Sequence, residues 1–226
     1  MRIRIPAGIS AQEAVTMQQR LAPLISEISE LPTKITALVG CDATYLRGTT
    51  LAAAVLVDYE NLQAMKVKTV KKPTRFPYIP GLLAFREAPA VLHAIRALRG
   101  TSYICMVDAH GLAHPRRFGL ACFVGLALGR PTIGVAKSLL CGSVKGNHVL
   151  DEHDYPIAEC ITLPESGRTI YVSVGHKISL KDAVRIVKRC LTPRGPVPIK
   201  LAHEEVTNGK WRMAKQFSAS LSRMSV

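Results

Sequence analysis

Two short apolar segments joined by a helical one constrain the fold of this chain more than any other feature. Residues 103–107 and 132–135 have the length and composition of buried strands, and Gly129 would end a helix predicted from about Arg117 to Leu128. A strand–helix–strand unit of this kind predicts parallel strands joined by a right-handed crossover. The fold must therefore contain at least part of a parallel sheet.

The segments on either side predict one α/β domain over residues 1–226. We expect strands at 35–39, 49–59, 62–70 and 170–174, helices at 10–32, 89–100, 179–191 and from 198 to at least 206, a hairpin within 143–168 and a Pro/Gly linker at 192–198. The first three strands would form an antiparallel meander beside the parallel pair. This order of elements favours a mixed sheet flanked by helices.

The charge of the chain indicates a polyanionic partner. The net charge is +14, from 30 Lys and Arg residues against 16 Asp and Glu. Nucleic acid is the first candidate for such a partner and an anionic membrane the second, while a generally basic proteome is the alternative explanation. No apolar run reaches the roughly 18 residues that a membrane-spanning helix needs, so we expect no membrane partner.

The first residues and the cysteines favour a cytoplasmic protein. Residues 1–6 lack the apolar core of a secretory signal. The 6 cysteines form no Cys-x-x-Cys pair and several lie inside apolar runs, which is typical of small buried side chains in a reducing compartment. We therefore expect free thiols and no zinc site.

Charged residues follow both predicted parallel strands directly. Asp108 follows the first strand and Lys137 follows the second. Because parallel strands end at the same edge of a sheet, the two side chains should converge where α/β sheets bind ligands. Asp42 ends the first apolar run in the same way and would lie near Asp108 if its strand is central. A turn acid and a solvated lysine are the alternatives.

Two more residues could complete a metal site at that edge. Glu87 lies at the start of the predicted Pro89 helix, where a carboxylate also favours the helix dipole. His203 shares a helical face with Ile199 and Val206, so we expect it to point inward, as a core residue or as a ligand. Three carboxylates and an imidazole would suit a hard divalent cation such as Mg²⁺ or Mn²⁺.

The segment 71–81 is stiff and basic. Its three prolines exclude a regular helix, and it presents Tyr78 close to Lys71 and Arg75. A rigid, exposed aromatic ring among cations could stack on a base or wedge between bases. The alternative is a structural loop with Tyr78 packed against the protein.

Four motifs of this sequence resemble the endonuclease V family. They are residues 76–87, 107–119, 131–142 and 174–179, and they occur in the same order over roughly residues 10–206. The resemblance implies a ribonuclease H-like fold and a Mg²⁺-dependent DNA repair nuclease, with Mn²⁺ as the alternative ion. Such enzymes recognise deoxyinosine, the product of adenine deamination, in DNA. They hydrolyse the second phosphodiester bond 3′ to the lesion with a metal-activated water, and they leave a 3′-hydroxyl and a 5′-phosphate.

The resemblance also assigns roles to residues. Asp42, Glu87 and Asp108 match the metal-binding acids. His203 falls where the family has His or Asp, and Lys137 matches a lysine expected to contact the phosphate near the cut, so these two join the acids as catalytic residues. The DNA wedge comprises Pro77, Tyr78, Ile79 and Pro80, and the base pocket comprises Gly81, Leu83, Gly111, His114 and Gly134.

One position departs from the family pattern. Where the family usually has Asp-Gly-His-Gly, this chain has Ala109 after Asp108. The extra methyl group could narrow the rim of the pocket, or it could forbid a backbone angle open only to glycine.

Other functions remain open on sequence alone. The same nuclease could act on inosine in RNA, because contacts to a 2′-hydroxyl depend on local loop shape. A non-enzymatic binding module with an inactive nuclease fold would have lost at least one metal-binding acid, and none is missing. A phosphate-transfer enzyme for small nucleotides is disfavoured by the charge of +14 and by the aromatic wedge. We expect a monomer.

Overall fold

The computed structural model describes residues 3–99 and 103–224. The helices are α1 (Ala11–Leu21), α2 (Leu83–Ala97), α3 (Leu120–Leu128), α4 (Leu180–Arg189) and α5 (Val197–Met224). The strands are β1 (Ala37–Leu46), β2 (Thr49–Asp58), β3 (Ala64–Pro73), β4 (Ile104–Val107), β5 (Thr132–Ala136), β6 (Ser143–Lys145), β7 (His148–Leu150), β8 (Pro156–Thr162), β9 (Thr169–His176), β10 (Leu191–Thr192) and β11 (Gly195–Pro196).

Strands β1 to β9 form one mixed sheet. Its order is β3-β2-β1-β4-β5-β9-β8-β7-β6, in which β1, β4 and β5 run parallel and the other neighbours pair antiparallel. The predicted mixed sheet, the meander and the parallel pair are thus confirmed. Both β4 and β5 are buried along their whole length, as their apolar composition requires.

Helices cover both faces of this sheet. The main core joins the sheet to α1 to α4 and to Ile199 of α5, and it includes Leu56 of β2. A separate cluster places the β2 residues Val55 and Val57 against Ala202 of α5. Because successive strand residues face opposite ways, α5 covers the face of β2 opposite to Leu56.

Gly40 allows α5 to begin close to the centre of the sheet. A Cβ atom at Gly40 would lie only 1.9 Å from the carbonyl oxygen of Pro198, so that a larger residue would push the start of α5 away from β1. The same helix carries His203 over the sheet. The glycine thereby helps to set the distance between His203 and β1.

Several predicted helix boundaries were wrong, and a proline is involved in two of these cases. The helix that we expected to reach Pro32 ends at Leu21, because Pro23 enters a 3₁₀ turn over Ala22–Leu24. Helix α2 begins at Leu83, so Pro89 lies inside it rather than in its first turn. Consequently Glu87 also lies inside α2 and not at its start. The predicted cap at Gly100 lies outside the described residues.

Strand β1 is longer than expected, and this changes the setting of Asp42. The strand runs to Leu46, so Asp42 lies within it and pairs with Ala53 of β2. The predicted linker at 192–198 forms the short β10–β11 ribbon and leads directly into α5.

Other local predictions are confirmed. Ser179 caps α4 by accepting a hydrogen bond from the backbone N–H of Asp182, and Gly129 ends α3 with a φ of 64°. All six cysteines are free thiols. Among the described residues, no helix combines the length and the apolar character needed to cross a bilayer.

Candidate active site

Two carboxylates and one imidazole meet where the parallel strand β4 ends beside β1. Ligand atoms of Asp42, Asp108 and His203 all lie within 4.8 Å of one another, and we call this group the carboxylate cluster. Strand pairing brings the acids together, because Cys41 pairs with Val107 and the N–H of Asp108 donates to the carbonyl of Cys41 at 3.0 Å. A ring nitrogen of His203, Nδ1, lies 2.8 Å from Oδ2 of Asp42.

Lys137 joins this group from the neighbouring strand, as the strand order predicts. Its Nζ lies 2.5 Å from Oδ2 of Asp108. The lysine side chain is 58% exposed, whereas that of Asp108 is 9% exposed. An accessible ammonium therefore stands beside a nearly buried carboxylate.

The position of His203 differs from our expectation of an inward-facing residue. Its side chain is 55% exposed, although Ile199 and Val206 on neighbouring turns of α5 are buried. The imidazole lies at the rim of the buried face, where it reaches Asp42 and still borders solvent.

Glu87 is a third carboxylate beside this group, held separately by Tyr45. It is buried in α2, and the Tyr45 hydroxyl donates a hydrogen bond to its Oε1. The Arg86 guanidinium lies over the Tyr45 ring at 4.0 Å. Burial raises the pKa of Glu87 to about 8, and the charges of Asp42 and Asp108 add to the rise. The structure thus places Glu87 near the cluster but outside the group of atoms within 4.8 Å.

The electrostatics of the cluster suit a bound cation. Burial raises the pKa of Asp42 and the Asp108 charge raises it further, while hydrogen bonds from His203 and from the Ala43 N–H oppose this. Adjacent, poorly hydrated carboxylates repel each other, and a cation between them removes the repulsion. Carboxylate oxygens with one imidazole are a donor set that Mg²⁺ or Mn²⁺ accepts.

A cavity of about 230 Å³ opens beside the cluster, and we call it the Gly81 pocket. The predicted residues that line it are Tyr78, Ile79, Pro80, Gly81, Leu83 and His114. Tyr78 is 69% exposed, so its ring is not packed against the protein. The exposed Pro77 precedes it and does not line the cavity.

Gly111 and Gly134 lie behind the wall of this pocket. A Cβ atom at Gly111 would meet the backbone oxygen of Val174 at 2.0 Å, and one at Gly134 would meet the Gly111 nitrogen at 2.5 Å. Both glycines allow the turn at Ala109 to approach β5 and β9. They do not line the cavity themselves, and their contact with a base stays a prediction.

The motif that departs from the family pattern is accommodated without strain. Ala109 lines the Gly81 pocket, and it is not among the residues with positive φ. Its backbone therefore needs no glycine, and only its methyl group distinguishes the wall of the pocket.

The sequence matches one known protein family over most of its length. A family model described as Endonuclease V matches residues 19–204. The chain belongs to the endonuclease V family. The family is one of nucleases, which hydrolyse phosphodiester bonds, and it implies a divalent metal ion for which the carboxylate cluster is the candidate site.

Individual members of the endonuclease V family are similar over most of the chain. The protein of Desulfurococcus amylolyticus is 38% identical over 205 residues, which is 86% of this chain and 93% of that relative. The protein of Roseiflexus castenholzii is 39% identical over 194 residues, covering 83% of this chain and 87% of the relative.

Solved endonuclease V structures share the fold, which is ribonuclease H-like as predicted. The Streptomyces avermitilis structure is 31% identical with a TM-score of 0.85 and covers 95% of this chain and 100% of its own. The Ciona intestinalis enzyme, in complex with a 24mer DNA containing an inosine followed by a ribo-adenosine, is 26% identical with a TM-score of 0.82, over 89% of this chain and 98% of its own.

The structure reveals two residues of the site that the sequence interpretation missed, Gln18 and Arg116. The Gly81 carbonyl oxygen accepts hydrogen bonds from Gln18 Nε2 at 3.0 Å, from His114 Nε2 at 2.9 Å and from Arg116 Nη2 at 2.8 Å. Gln18 is fully buried and also accepts from Arg116 Nε at 2.6 Å. Its position between Ala14 and Leu21 on the buried face of α1 was the available signal, because a buried amide requires partners.

This network also fixes the protonation of His114. The backbone N–H of Arg116 donates to His114 Nδ1 at 3.2 Å, so the proton of the neutral ring is on Nε2 and is donated to Gly81. Burial lowers the pKa of His114 to about 4. The side chain is therefore neutral near pH 7 and acts as a fixed donor at the back of the pocket.

Proposed function

We propose that the protein is a cytoplasmic DNA repair endonuclease, formed by one catalytic domain, that recognises deoxyinosine. It would hydrolyse the second phosphodiester bond 3′ to the lesion and leave a 3′-hydroxyl and a 5′-phosphate. The observation that carries this proposal is the adjacency of the carboxylate cluster and the Gly81 pocket at one edge of the sheet. The inosine-containing DNA bound to the Ciona relative supports the same substrate.

The acids of the site would hold the divalent cation, and neighbouring groups orient their carboxylates. Asp42 and Asp108 present oxygen atoms on adjacent strands, and His203 orients Asp42 through Nδ1. The Tyr45 hydroxyl engages Oε1 of Glu87, which leaves Oε2 as the oxygen for a ligand. When bound, Mg²⁺ or Mn²⁺ supplies Lewis-acid chemistry that activates water and stabilises charge on the departing oxygen.

Lys137 is placed to bind the phosphate at the cut. Its ammonium is accessible, and Asp108 holds it at the edge of the cluster. A positive charge there would compensate the charge that develops on the phosphate oxygens during hydrolysis. Loss of the charge should therefore slow hydrolysis more than it weakens binding of the strand.

Recognition would use the exposed Tyr78 and the Gly81 pocket together. An extruded base leaves a gap in the stack that an aromatic ring can fill, and a poorly paired inosine costs less to extrude than a paired base. Leu83 and Ala84 line the pocket and begin α2, so their N–H groups have no acceptor within the helix. They are suitable donors for O6 of hypoxanthine, which adenine lacks.

The proposal is tested by mapping the cut in a labelled strand with one deoxyinosine. We expect nicking that requires a divalent cation, at the second bond 3′ to the lesion, and no nicking of the matched adenine strand. Release of the base, or nicking of both strands at equal rates, would contradict the proposal.

The Asp108→Asn variant tests the cluster itself. Removal of a residue that merely supports a metal ligand costs about 10–100-fold in activity, so loss of a ligand should slow single-turnover cleavage by more than about 100-fold. Binding of the inosine strand should persist. Asp154→Asn, at an exposed ion pair with Lys145, is the matched control and should cut normally. Cleavage by Asp108→Asn at the wild-type rate in Mg²⁺ would show that the site is wrongly assigned.

One observation favours a second function, inosine-specific cleavage of RNA. The Ciona relative is bound to a strand in which a ribonucleotide follows the inosine. Matched strands of DNA, of RNA and of DNA with one ribonucleotide after the inosine would separate the functions. Faster cleavage of the DNA strand supports the repair enzyme, and a strong preference for a ribonucleotide supports the alternative.

A further inference from the structure

A second cavity of about 300 Å³ borders the carboxylate cluster, and we call it the Arg194 cavity. Asp108 and Lys137 line it directly. Their chain neighbours Ala109 and Ser138 instead line the Gly81 pocket. Because successive residues at the end of a strand face opposite ways, the two cavities flank the Asp108–Lys137 pair.

The wall of the Arg194 cavity is basic. Arg168 and Arg194 both line it and both are exposed, whereas Asp108 is the one acid among its lining residues. Within the described part of the chain, no salt bridge engages either arginine. Arg168 Nη2 donates to the carbonyl of Pro193 at 3.5 Å, which holds this arginine against the β10–β11 ribbon. The cavity thus offers two guanidinium groups to an anion.

The floor of the same cavity is apolar. Val135, Ile170 and Ile199 line it and are almost fully buried. A phosphate alone would need only the arginines. Cations above an apolar floor match a nucleotide, in which a phosphate is attached to a sugar and a base with apolar faces.

We propose that the Arg194 cavity binds the nucleotide that follows the bond to be cut, which is the nucleotide that carries the 5′-phosphate in the product. This inference rests on the proposed function, which puts the lesion in the Gly81 pocket and the cut at the Asp108–Lys137 pair. A strand that leaves the Gly81 pocket and crosses this pair with one intervening nucleotide next reaches the Arg194 cavity. Arg168 and Arg194 then face the phosphate on the 3′ side of the bound nucleotide.

The test combines a change in the protein with a change in the strand. The protein carries Arg168→Gln and Arg194→Gln together, and the strand carries an uncharged methylphosphonate at the first phosphate beyond the cut. A charged hydrogen bond contributes enough that each change alone should raise KM by about tenfold. Because both changes remove the same contact, the two together should cost little more than one. The kcat of the wild-type protein on the modified strand should change much less than KM.

A matched variant controls for the general loss of charge. Arg185→Gln with Lys188→Gln also removes two cations, but these lie on α4 in ion pairs with Asp182 and Glu159. This control should keep the full sensitivity to the methylphosphonate. Both variants should keep the wild-type Tm, because all four side chains are exposed.

The outcomes separate this inference from the proposed function. If the double arginine variant stays as sensitive to the methylphosphonate as the wild type, the Arg194 cavity does not bind this nucleotide, even when inosine strands are cut normally. If the wild type fails to distinguish inosine from adenine strands, the proposed function is wrong. The Kd values of the wild type and of both double variants for the unmodified and the methylphosphonate strand test the cavity independently of cleavage. They are measured by fluorescence anisotropy without divalent cations.

Discussion

At the scale of single residues, the Gly81 carbonyl oxygen connects helix α1 to the Gly81 pocket. It accepts three side-chain hydrogen bonds, one of them from Gln18 of α1. Gly81 itself has a φ of +77°, a conformation that costs little only for glycine. The bonds therefore hold an unusual turn in place, and the orientation of the neighbouring Tyr78 and Leu83 depends on it.

We predict that Gln18→Leu weakens discrimination between inosine and adenine strands. The substitution removes the donor to Gly81 and leaves Arg116 Nε without its acceptor, which should cost about 1–3 kcal/mol of stability. The loosened turn should reduce the inosine-to-adenine ratio of kcat/KM several-fold. Gln19→Leu, at the exposed neighbouring position, is the matched control. Equal ratios in Gln18→Leu and Gln19→Leu would show that Gln18 only supports folding.

A second prediction concerns the pH dependence of stability. The pKa of His114 is lowered to about 4 in the folded protein, below the ordinary value of 6.5. Between these values the unfolded chain binds more protons, so the free energy of unfolding should rise as pH increases from about 4 to 6.5. The contribution, up to about 3 kcal/mol, is complete above that window and is lost below it.

The His114→Gln variant isolates this contribution. Urea unfolding across the window should show a flatter rise with pH for His114→Gln than for the wild type. His153→Gln, at an exposed surface position, should keep the wild-type slope. Parallel curves for the wild type and His114→Gln would mean that His114 is not held neutral by burial.

At the scale of elements, sequence patterns located strands better than the ends of helices. Asp108 and Lys137 could be brought together from the sequence because the crossover rule fixes which strand ends coincide. Pro89 could not be placed correctly from its preference for a first turn. A proline inside a helix costs about 3 kcal/mol, which burial of α2 residues such as Phe85 and Leu92, at roughly 1.5–3 kcal/mol each, can outweigh.

Contacts between distant elements explain what the sequence could not show about the site. The exposure of His203 depends on how α5 crosses β1, and the burial of Glu87 depends on where α2 begins. The Gln18 network joins residues far apart in the chain. In contrast, the exposed Tyr78 follows from local stiffness, because prolines on either side keep the segment extended.

The exposed ring of Tyr78 should contribute to binding by stacking on a base. Replacement of Tyr78 by Ala should weaken binding of the inosine strand by about tenfold, because stacking on one base contributes roughly 1–3 kcal/mol. The cleavage step at saturating enzyme should slow much less. Tyr155→Ala, an exposed tyrosine outside the Gly81 pocket, is the control. Unchanged discrimination between inosine and adenine strands in Tyr78→Ala would exclude the wedge.

At the scale of the whole molecule, the excess of 30 basic over 16 acidic residues has two consequences. On the edge strand β3, lysines such as Lys66 and Lys68 are exposed and discourage pairing with another sheet. Lys72, near the end of this strand, instead lines a cavity with Arg75 and Arg86 just before the Tyr78 segment. The same strand thus carries lysines that protect an edge and one lysine, Lys72, that we expect to contact the nucleic acid of the proposed function.

Salt dependence of binding distinguishes these two groups of cations. Each phosphate contact releases counterions, so the logarithm of the affinity should fall linearly with the logarithm of the salt concentration. Lys72→Gln should reduce the magnitude of this slope by about 1. Lys66→Gln should leave the slope unchanged, because Lys66 Nζ donates to the carbonyl of Leu98 at 2.9 Å. Anisotropy titrations between low and physiological salt measure both slopes.

The ratio of the affinities for inosine and adenine strands provides a second check. Because phosphate contacts carry no base information, this ratio should stay constant in both variants. A ratio that changed in Lys72→Gln would place this lysine at the lesion rather than on the phosphate backbone.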